Sequence, residues 1–175
     1  SFKRGYKLPP GFTRTLRRGQ ARALPKQYWD MPFTPVTVKD EAGAMDELVE
    51  RMKESIRLRM IADVPLGAFL SGGVDSSAVV AMMATQSKTP VNTCSIGFDD
   101  PAYNEIEFAQ QVADRYRTHH HVETVASNDF SLVDQLAQVY DEPYADSSAL
   151  PTYRVCELAR KHVKVALSGD GGDEH

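Results

Sequence analysis

One heptapeptide constrains this chain more than any other stretch: Ser71-Gly72-Gly73-Val74-Asp75-Ser76-Ser77. Before it lies an apolar run, Val64-Pro65-Leu66-Gly67-Ala68-Phe69-Leu70, which suits a strand buried on both faces of a parallel sheet. After it, Ser76 to about Thr85 reads as a helix. A strand that breaks at two glycines and resumes as a helix is a natural anion cradle. The glycines let the backbone come close to a phosphate and take angles that a Cβ forbids. The free N–H groups at the helix start point at the anion, and the helix dipole favours it. Ser71, Ser76 and Ser77 add hydroxyl donors. Asp75 beside a phosphate would repel it unless Mg²⁺ bridged the two, and hard cations do take carboxylate and phosphate oxygens together. Asp75 is therefore a metal-ligand candidate. No lysine follows the glycines, so this is not the Gly-x-x-x-x-Gly-Lys-Ser/Thr loop of γ-phosphoryl transfer. Taken alone, the residues read equally well as a Gly-Gly turn followed by a Ser/Asp helix cap.

The surrounding pattern gives the loop its context. Met45, Leu48, Val49, Met52, Ile56 and Met60 recur at three- and four-residue steps from Asp40 onward, one face of a helix. A strand is expected over Val91–Gly97 and a helix over Tyr103–Tyr116, with Ile106, Ala109, Val112, Ala113 and Tyr116 on one face. Another strand is expected at His121–Val125, helices at Phe130–Tyr140 and Leu150–Lys161, and a last strand at Val163–Leu167. That strand runs into a second glycine-rich stretch, Ser168-Gly169-Asp170-Gly171-Gly172-Asp173-Glu174. Strands alternating with helices predict an α/β fold: a doubly wound, mainly parallel sheet with right-handed crossovers and helices on both faces. Ligands bind such sheets beyond the carboxyl ends of the strands, where both glycine-rich stretches fall. Residues 1–35 differ: Pro9-Pro10-Gly11, Pro25, Pro32 and Pro35 punctuate them without sustained periodicity, so they read as a turn-rich leader with one short hairpin around Phe12–Leu24.

The heptapeptide resembles the PP-loop of the ATP pyrophosphatases, which activate a carboxylate or carbonyl as an adenylate and release pyrophosphate. Further blocks resemble one branch of them, the glutamine-hydrolysing asparagine synthetases. These are Asp63–Leu70 leading into the loop, Tyr140-Asp141-Glu142-Pro143-Tyr144-Ala145-Asp146-Ser147-Ser148-Ala149-Leu150-Pro151-Thr152-Tyr153, and Leu167–Glu174. In the leader, Lys7-Leu8-Pro9-Pro10-Gly11 and Tyr28-Trp29-Asp30 look like the end of that family's glutaminase domain and its linker. The resemblance implies a PP-loop, adenine nucleotide alpha hydrolase-like fold. It implies that residues 1–35 are the tail of a glutaminase domain plus linker, and that 36–175 are the N-terminal part of a synthetase domain truncated at its C-terminus. It also implies ATP and Mg²⁺ as cofactors, aspartate and glutamine-derived ammonia as substrates, and a cytoplasmic ligase. Ser71, Gly72, Gly73, Asp75, Ser76 and Ser77 would hold the pyrophosphate group. Phe69, Ile96, Ser168 and Gly169 would contact the nucleotide, and Asp75 and Asp173 would engage the metal. Asp170 falls where better-known members carry the Glu tied to forming the β-aspartyl-AMP intermediate; its shorter side chain is a departure. With no N-terminal cysteine nucleophile and an end directly after the second glycine stretch, the chain is expected to be an inactive fragment. Two other readings stay open: the same adenylation on another carboxylate, as in a β-lactam synthetase or a sugar or peptide amidotransferase, and a non-catalytic nucleotide-binding module.

Composition trims the alternatives. Twenty Lys and Arg against 24 Asp and Glu give a net charge of −4, which disfavours a nucleic-acid binder. No stretch is long and apolar enough to span a bilayer. Cys94 and Cys156 form neither a disulfide framework nor a zinc site, and read as small hydrophobes. His119-His120-His121 reads as the exposed start of a strand rather than a metal site. Asp141, Glu142 and Asp146 read as helix-start charge, with substrate or metal shaping as the alternative, and Asp99-Asp100-Pro101 reads as a turn. The sequence leaves a homodimer open.

Overall fold

The computed structural model describes residues 6–19, 23–32, 40–99, 104–126, 130–140 and 144–172. The chain forms two compact units, Ser1–Glu41 and Ala42–His175. In the first, strand β1 (Phe12–Thr13) pairs antiparallel with β2 (Lys26–Gln27). The return strand thus lies just beyond Leu24, where the hairpin was expected to end. Gly11 turns the chain at φ 71° and its carbonyl accepts the N–H groups of Tyr28 and Trp29.

The second unit is built on a four-stranded, wholly parallel sheet: β3 (Leu66–Phe69), β4 (Asn92–Phe98), β5 (His119–Val125) and β6 (Val165–Leu167), in the order β5-β4-β3-β6. Helix α1 (Glu41–Arg59) precedes it; α2 (Val74–Gln86) links β3 to β4, and α3 (Ile106–Tyr116) links β4 to β5. A 3-10 turn at Phe130–Leu132, α4 (Val133–Val139) and α5 (Ala149–His162) lie between β5 and β6. The chain steps outward from β3 to β5 and then jumps back across β3 to β6. With crossovers of one hand, that reversal moves the later helix to the opposite face.

The two cores confirm it. Alternate residues of a strand face opposite ways. Ala68, Leu70 and Val91 pack with Ile56 of α1, Val80 and Met83 of α2, and Ala109 and Ala113 of α3. Cys94, Phe69 and Ile96 pack with Leu158, Ala159 and Val155 of α5 and with Val163. The doubly wound α/β fold expected from the sequence is what forms. Helix α1 departs from its pattern: Ile56 is buried, but Met45, Leu48 and Val49 at its start stay exposed. Periodicity reports an apolar face; whether it is covered depends on what packs against it. Among the described residues no helix is long and apolar enough to cross a membrane.

Met83 is 1% exposed in the first core. Met83→Ala is expected to lower the unfolding free energy by about 2–5 kcal/mol, while Met45→Ala on the exposed part of α1 changes it by less than about 0.5 kcal/mol. Urea denaturation followed by circular dichroism measures both.

Candidate functional site

The reversal of strand order between β3 and β6 opens a crevice beyond their carboxyl ends, the usual ligand position in such sheets. The loop after β3 is Ser71–Gly73 and the loop after β6 is Ser168–Gly172, so the topology brings the two glycine-rich stretches together. Gly72 takes φ 89°. A Cβ there would lie 2.8 Å from Phe108 Cβ and 2.9 Å from the Ala109 N atom, so the residue needs both the left-handed conformation and the missing side chain. Gly73, in extended conformation, starts α2, and the first helical bond runs from Ser77 N to Gly73 O at 3.1 Å. The preceding N–H groups of the helix have no intrahelical acceptor and remain for an anion.

The serine hydroxyls divide between framing the loop and facing the cleft. Ser76 Oγ donates to Gly73 O at 3.2 Å, accepts Ser71 N–H at 3.2 Å and lies 2.9 Å from Ser71 Oγ. With these partners it is a strut inside the loop. Ser71 Oγ also accepts Gly73 N–H at 3.3 Å. The second loop closes as a turn, with Gly172 N donating to Gly169 O at 3.2 Å and Gly171 at φ 85°, the geometry of a type II turn. Ser168 Oγ accepts the Asp170 N–H at 3.2 Å. Gly169 rests directly on the first turn of α2: a Cβ on it would lie 2.6 Å from Ser76 N. A Cβ on Gly172 would lie 2.5 Å from Asp75 Cγ, which places the Asp75 carboxyl between the two loops.

Around these loops lies a cleft of about 430 Å³. Phe69, Ser71, Gly73, Asp75, Ser76, Ile96, Ser168, Gly169 and Asp170 all line it, so most of the residues singled out by sequence converge. Gly72 and Ser77 are not among the lining residues, and Asp173 lies outside the described residues. The lining combines apolar side chains, Phe69, Ile96 and Phe98 of the sheet with Pro151 and Val155 of α5, and the hydroxyls and backbone of the two loops. Sequence reading missed Ser95, Phe98, Glu105, Ser148 and Thr152, which also line the cleft. Phe98 could have been found, since it follows Ile96 by two on the same strand face. Ser148, which caps α5, and Thr152 on its first turn lie more than 70 residues beyond the Ser71–Gly73 loop, and only the crossover back over β3 brings them in.

Comparison with known proteins then decides the family. The sequence profile of the asparagine synthase family matches residues 47–175. The chain belongs to the asparagine synthase family. It is 43% identical over 150 residues to a putative asparagine synthetase (glutamine-hydrolyzing) 2 of Methanocaldococcus jannaschii, covering 84% of this chain and 28% of that protein. To asparagine synthetase (glutamine-hydrolyzing) 1 of Bacillus subtilis it is 32% identical over 171 residues, covering 96% of this chain and 26% of that protein. It thus spans 28% and 26% of the length of these relatives. Among solved structures, an NH3-dependent NAD synthetase from Campylobacter jejuni is similar over 69% of this chain and 54% of that one, at 14% identity and a TM-score of 0.47.

The remaining candidates of this asparagine synthase family member resolve locally. Cys94 is buried at the cleft wall, and burial pushes its thiol up to about 11, so it stays protonated at neutral pH. Burial also raises the Cys156 thiol. Asp146 accepts the Ser148 N–H at 2.8 Å beside the start of α5, and that bond holds its carboxyl below the usual range. Asp100, Pro101, Asp141 and Glu142 lie outside the described residues. Among the described residues no group of three or more His, Cys, Asp or Glu side chains could hold a metal ion by itself. The His triplet alternates across β5: His120 Nδ1 lies 2.9 Å from Thr93 Oγ1 on one face, while His121 stacks on His162 of α5 on the other, ring centres 3.5 Å apart.

Two outcomes follow. Gly72→Ala and Gly169→Ala each force a Cβ against backbone, and both are expected to abolish Mg–ATP or pyrophosphate binding in a calorimetric titration. Gly171, whose Cβ would meet nothing within 4 Å, should tolerate Ala at a cost of about 1–2 kcal/mol of left-handed strain, with binding retained. The second concerns pH. Burial first, then neighbouring histidine charge, holds His120 and His121 below the ordinary 6.5. The unfolded chain therefore binds protons that the folded chain refuses, and stability should fall as pH drops through 6.5. Urea midpoints at about pH 7.5 and 5.5 should show that drop, and replacing both histidines with Gln should flatten most of it.

Proposed function

We propose that this chain forms the nucleotide-activating part of an asparagine synthetase: it binds ATP and aspartate, and the β-carboxylate attacks the α-phosphorus. The bond from that phosphorus to pyrophosphate breaks, leaving β-aspartyl-AMP. Ammonia nitrogen then attacks the acyl carbon, AMP leaves, and the nitrogen sheds a proton. One observation carries this reading: in a member of the asparagine synthase family, two glycine-rich loops meet on the first turn of α2, at a cleft lined by both apolar side chains and loop hydroxyls.

Each part of the lining has a role in that chemistry. The apolar strip of Phe69, Ile96 and Phe98 suits the flat face of adenine. The amides at the start of α2, with Ser71 and the Ser168–Gly169 segment, suit the phosphate chain and the charge that grows on leaving pyrophosphate. Asp170, exposed on the lip of the cleft, is the group proposed to take the proton. The main contribution is holding two reactants in line, which converts a bimolecular encounter into a step within one complex.

Mg²⁺ belongs to the same reading. It is usually held by one or two carboxylates with phosphate oxygens and water rather than by a full protein cage. Asp75, placed between the loops and belonging to no group of three metal-binding side chains among the described residues, fits that role, and Asp173 is proposed as the second carboxylate. When bound, the ion would offset charge on the phosphate oxygens. The reading further assigns residues 1–35 to the end of a glutaminase domain and its linker, the glutaminase domain supplying ammonia in the cytoplasm. A second reading, adenylation of a different carboxylate, is favoured by Asp170 itself, whose side chain is one methylene shorter than the Glu of better-known members.

Pyrophosphate release from Mg–ATP by the full-length protein, assayed against a panel of carboxylates, separates the two: a response to others but none to aspartate sinks the first. Asp75→Asn is expected to weaken Mg–ATP binding about tenfold or more, the worth of one charge-assisted contact. Asp170→Asn should leave that binding within about twofold while slowing aspartate-dependent AMP formation by about 10²–10⁴.

A further inference from the structure

Strand β3 ends at Phe69, and the Leu70–Ser71 peptide is where the chain turns from the sheet into the loop. Leu70 N–H still follows the sheet, donating to Cys94 O at 3.0 Å. The Leu70 carbonyl instead accepts a side-chain bond, from Ser95 Oγ on the neighbouring strand β4. The Ser71 N–H, at the other end of the same peptide, donates to Ser76 Oγ on α2 at 3.2 Å. Two serine hydroxyls from two different elements therefore grip the two polar ends of a single peptide group. Both are themselves fixed: Ser95 is 3% and Ser76 7% exposed.

A peptide is a rigid plane. Gripping both ends sets its tilt, and that tilt fixes ψ of Leu70 and φ of Ser71. These angles aim the Ser71 hydroxyl and the Gly72 and Gly73 amides. Ser95 has one proton, and it is committed to the Leu70 carbonyl, so it acts through the loop. A buried hydroxyl on a strand is costly unless it is bonded, and the bond this one makes is to the first carbonyl of the loop. Without it, a carbonyl in a residue 1% exposed loses its partner, and the peptide gains reason to rotate toward another donor.

We propose that Ser95 is a positioning residue for the pyrophosphate loop, setting its affinity by clamping the Leu70–Ser71 peptide from β4 while Ser76 clamps it from α2. This rests on the nucleotide reading above. The test titrates the purified protein with Mg–pyrophosphate and Mg–ATP by calorimetry. Ser95→Ala should bind both about fivefold more weakly, the worth of one hydrogen bond, and Ser95→Thr, which restores the hydroxyl, should recover to within about twofold. Thr93→Val supplies the comparison. Thr93 is on the same strand and 0% exposed, and its hydroxyl bonds Thr118 and His120, at 2.9 Å each, outside the cleft lining. It should lose thermal stability but keep wild-type affinity. Equal affinity in Ser95→Ala and wild type, or equal weakening in Thr93→Val, overturns the assignment and leaves the nucleotide reading standing. A wild-type protein that binds neither ligand overturns that reading and the assignment with it. Should the alanine variant fail to fold, Ser95→Cys takes its place, its thiol a weaker donor of similar shape, with the same expected direction.

Discussion

Glycines pack closely around the first turns of α2 and α3, and the rest of the site is arranged around those contacts. Gly72 presses against the start of α3, Gly169 against Ser76, and Gly172 against the Asp75 carboxyl, each with no room for a Cβ. Side chains could not bring these segments so close. Main-chain amides are shorter and stiffer than any side-chain donor and lose no rotamer freedom when a ligand arrives. A pocket that holds several phosphate oxygens at once, as proposed for this one, gains from being made of them. The cost is sequence tolerance: two loops have to arrive with glycine at three contacts, and the sheet has to deliver them.

The sheet does so through strand order. The outward steps β3, β4, β5 leave the carboxyl end of β3 with a neighbour on one side only, and β6 fills the other. The loops after β3 and β6 are thus adjacent although about 95 residues apart in sequence. Helix α5, carried to the opposite face by the same reversal, then walls the cleft with Ser148, Pro151, Thr152 and Val155. One topological event produces both the convergence of the loops and the α5 share of the cleft lining.

Much of this could be read from the residues because it rests on local chemistry. The apolar run ending at Gly72-Gly73, the helix after it and the repetition of strand and helix fix the fold class, since period and turn residues are local signals. The Ser71–Ser77 and Ser168–Gly172 loops could be read for the same reason. What could not be read depends on packing between distant segments. Met45, Leu48 and Val49 have the spacing of a buried face, yet they stay exposed. Ser76 looks like a ligand donor in sequence, and only the folded loop turns its hydroxyl inward. Ser95 looks like an ordinary small residue in a strand. Its meaning depends on lying beside Leu70, just past the end of β3, a matter of register between strands, which no local pattern encodes.

The two ends of the sheet also carry different burdens. At the carboxyl ends the polar groups are aimed into a cleft. At the amino ends they are spent on the fold: Thr93 bonds Thr118 and His120, and His121 stacks on His162. Burial that would waste a catalytic imidazole is harmless there, because a neutral ring packs as a flat, half-apolar plate. The same burial at the cleft would disable a general base, which needs to exchange protons with a ligand. Asp170 sits instead on an exposed turn at the lip of the cleft, while the loops behind it are held by backbone contact. On the proposed reading that is a sensible division: the phosphates need fixed geometry throughout the reaction, whereas Asp170 has only to reach the nitrogen that sheds its proton.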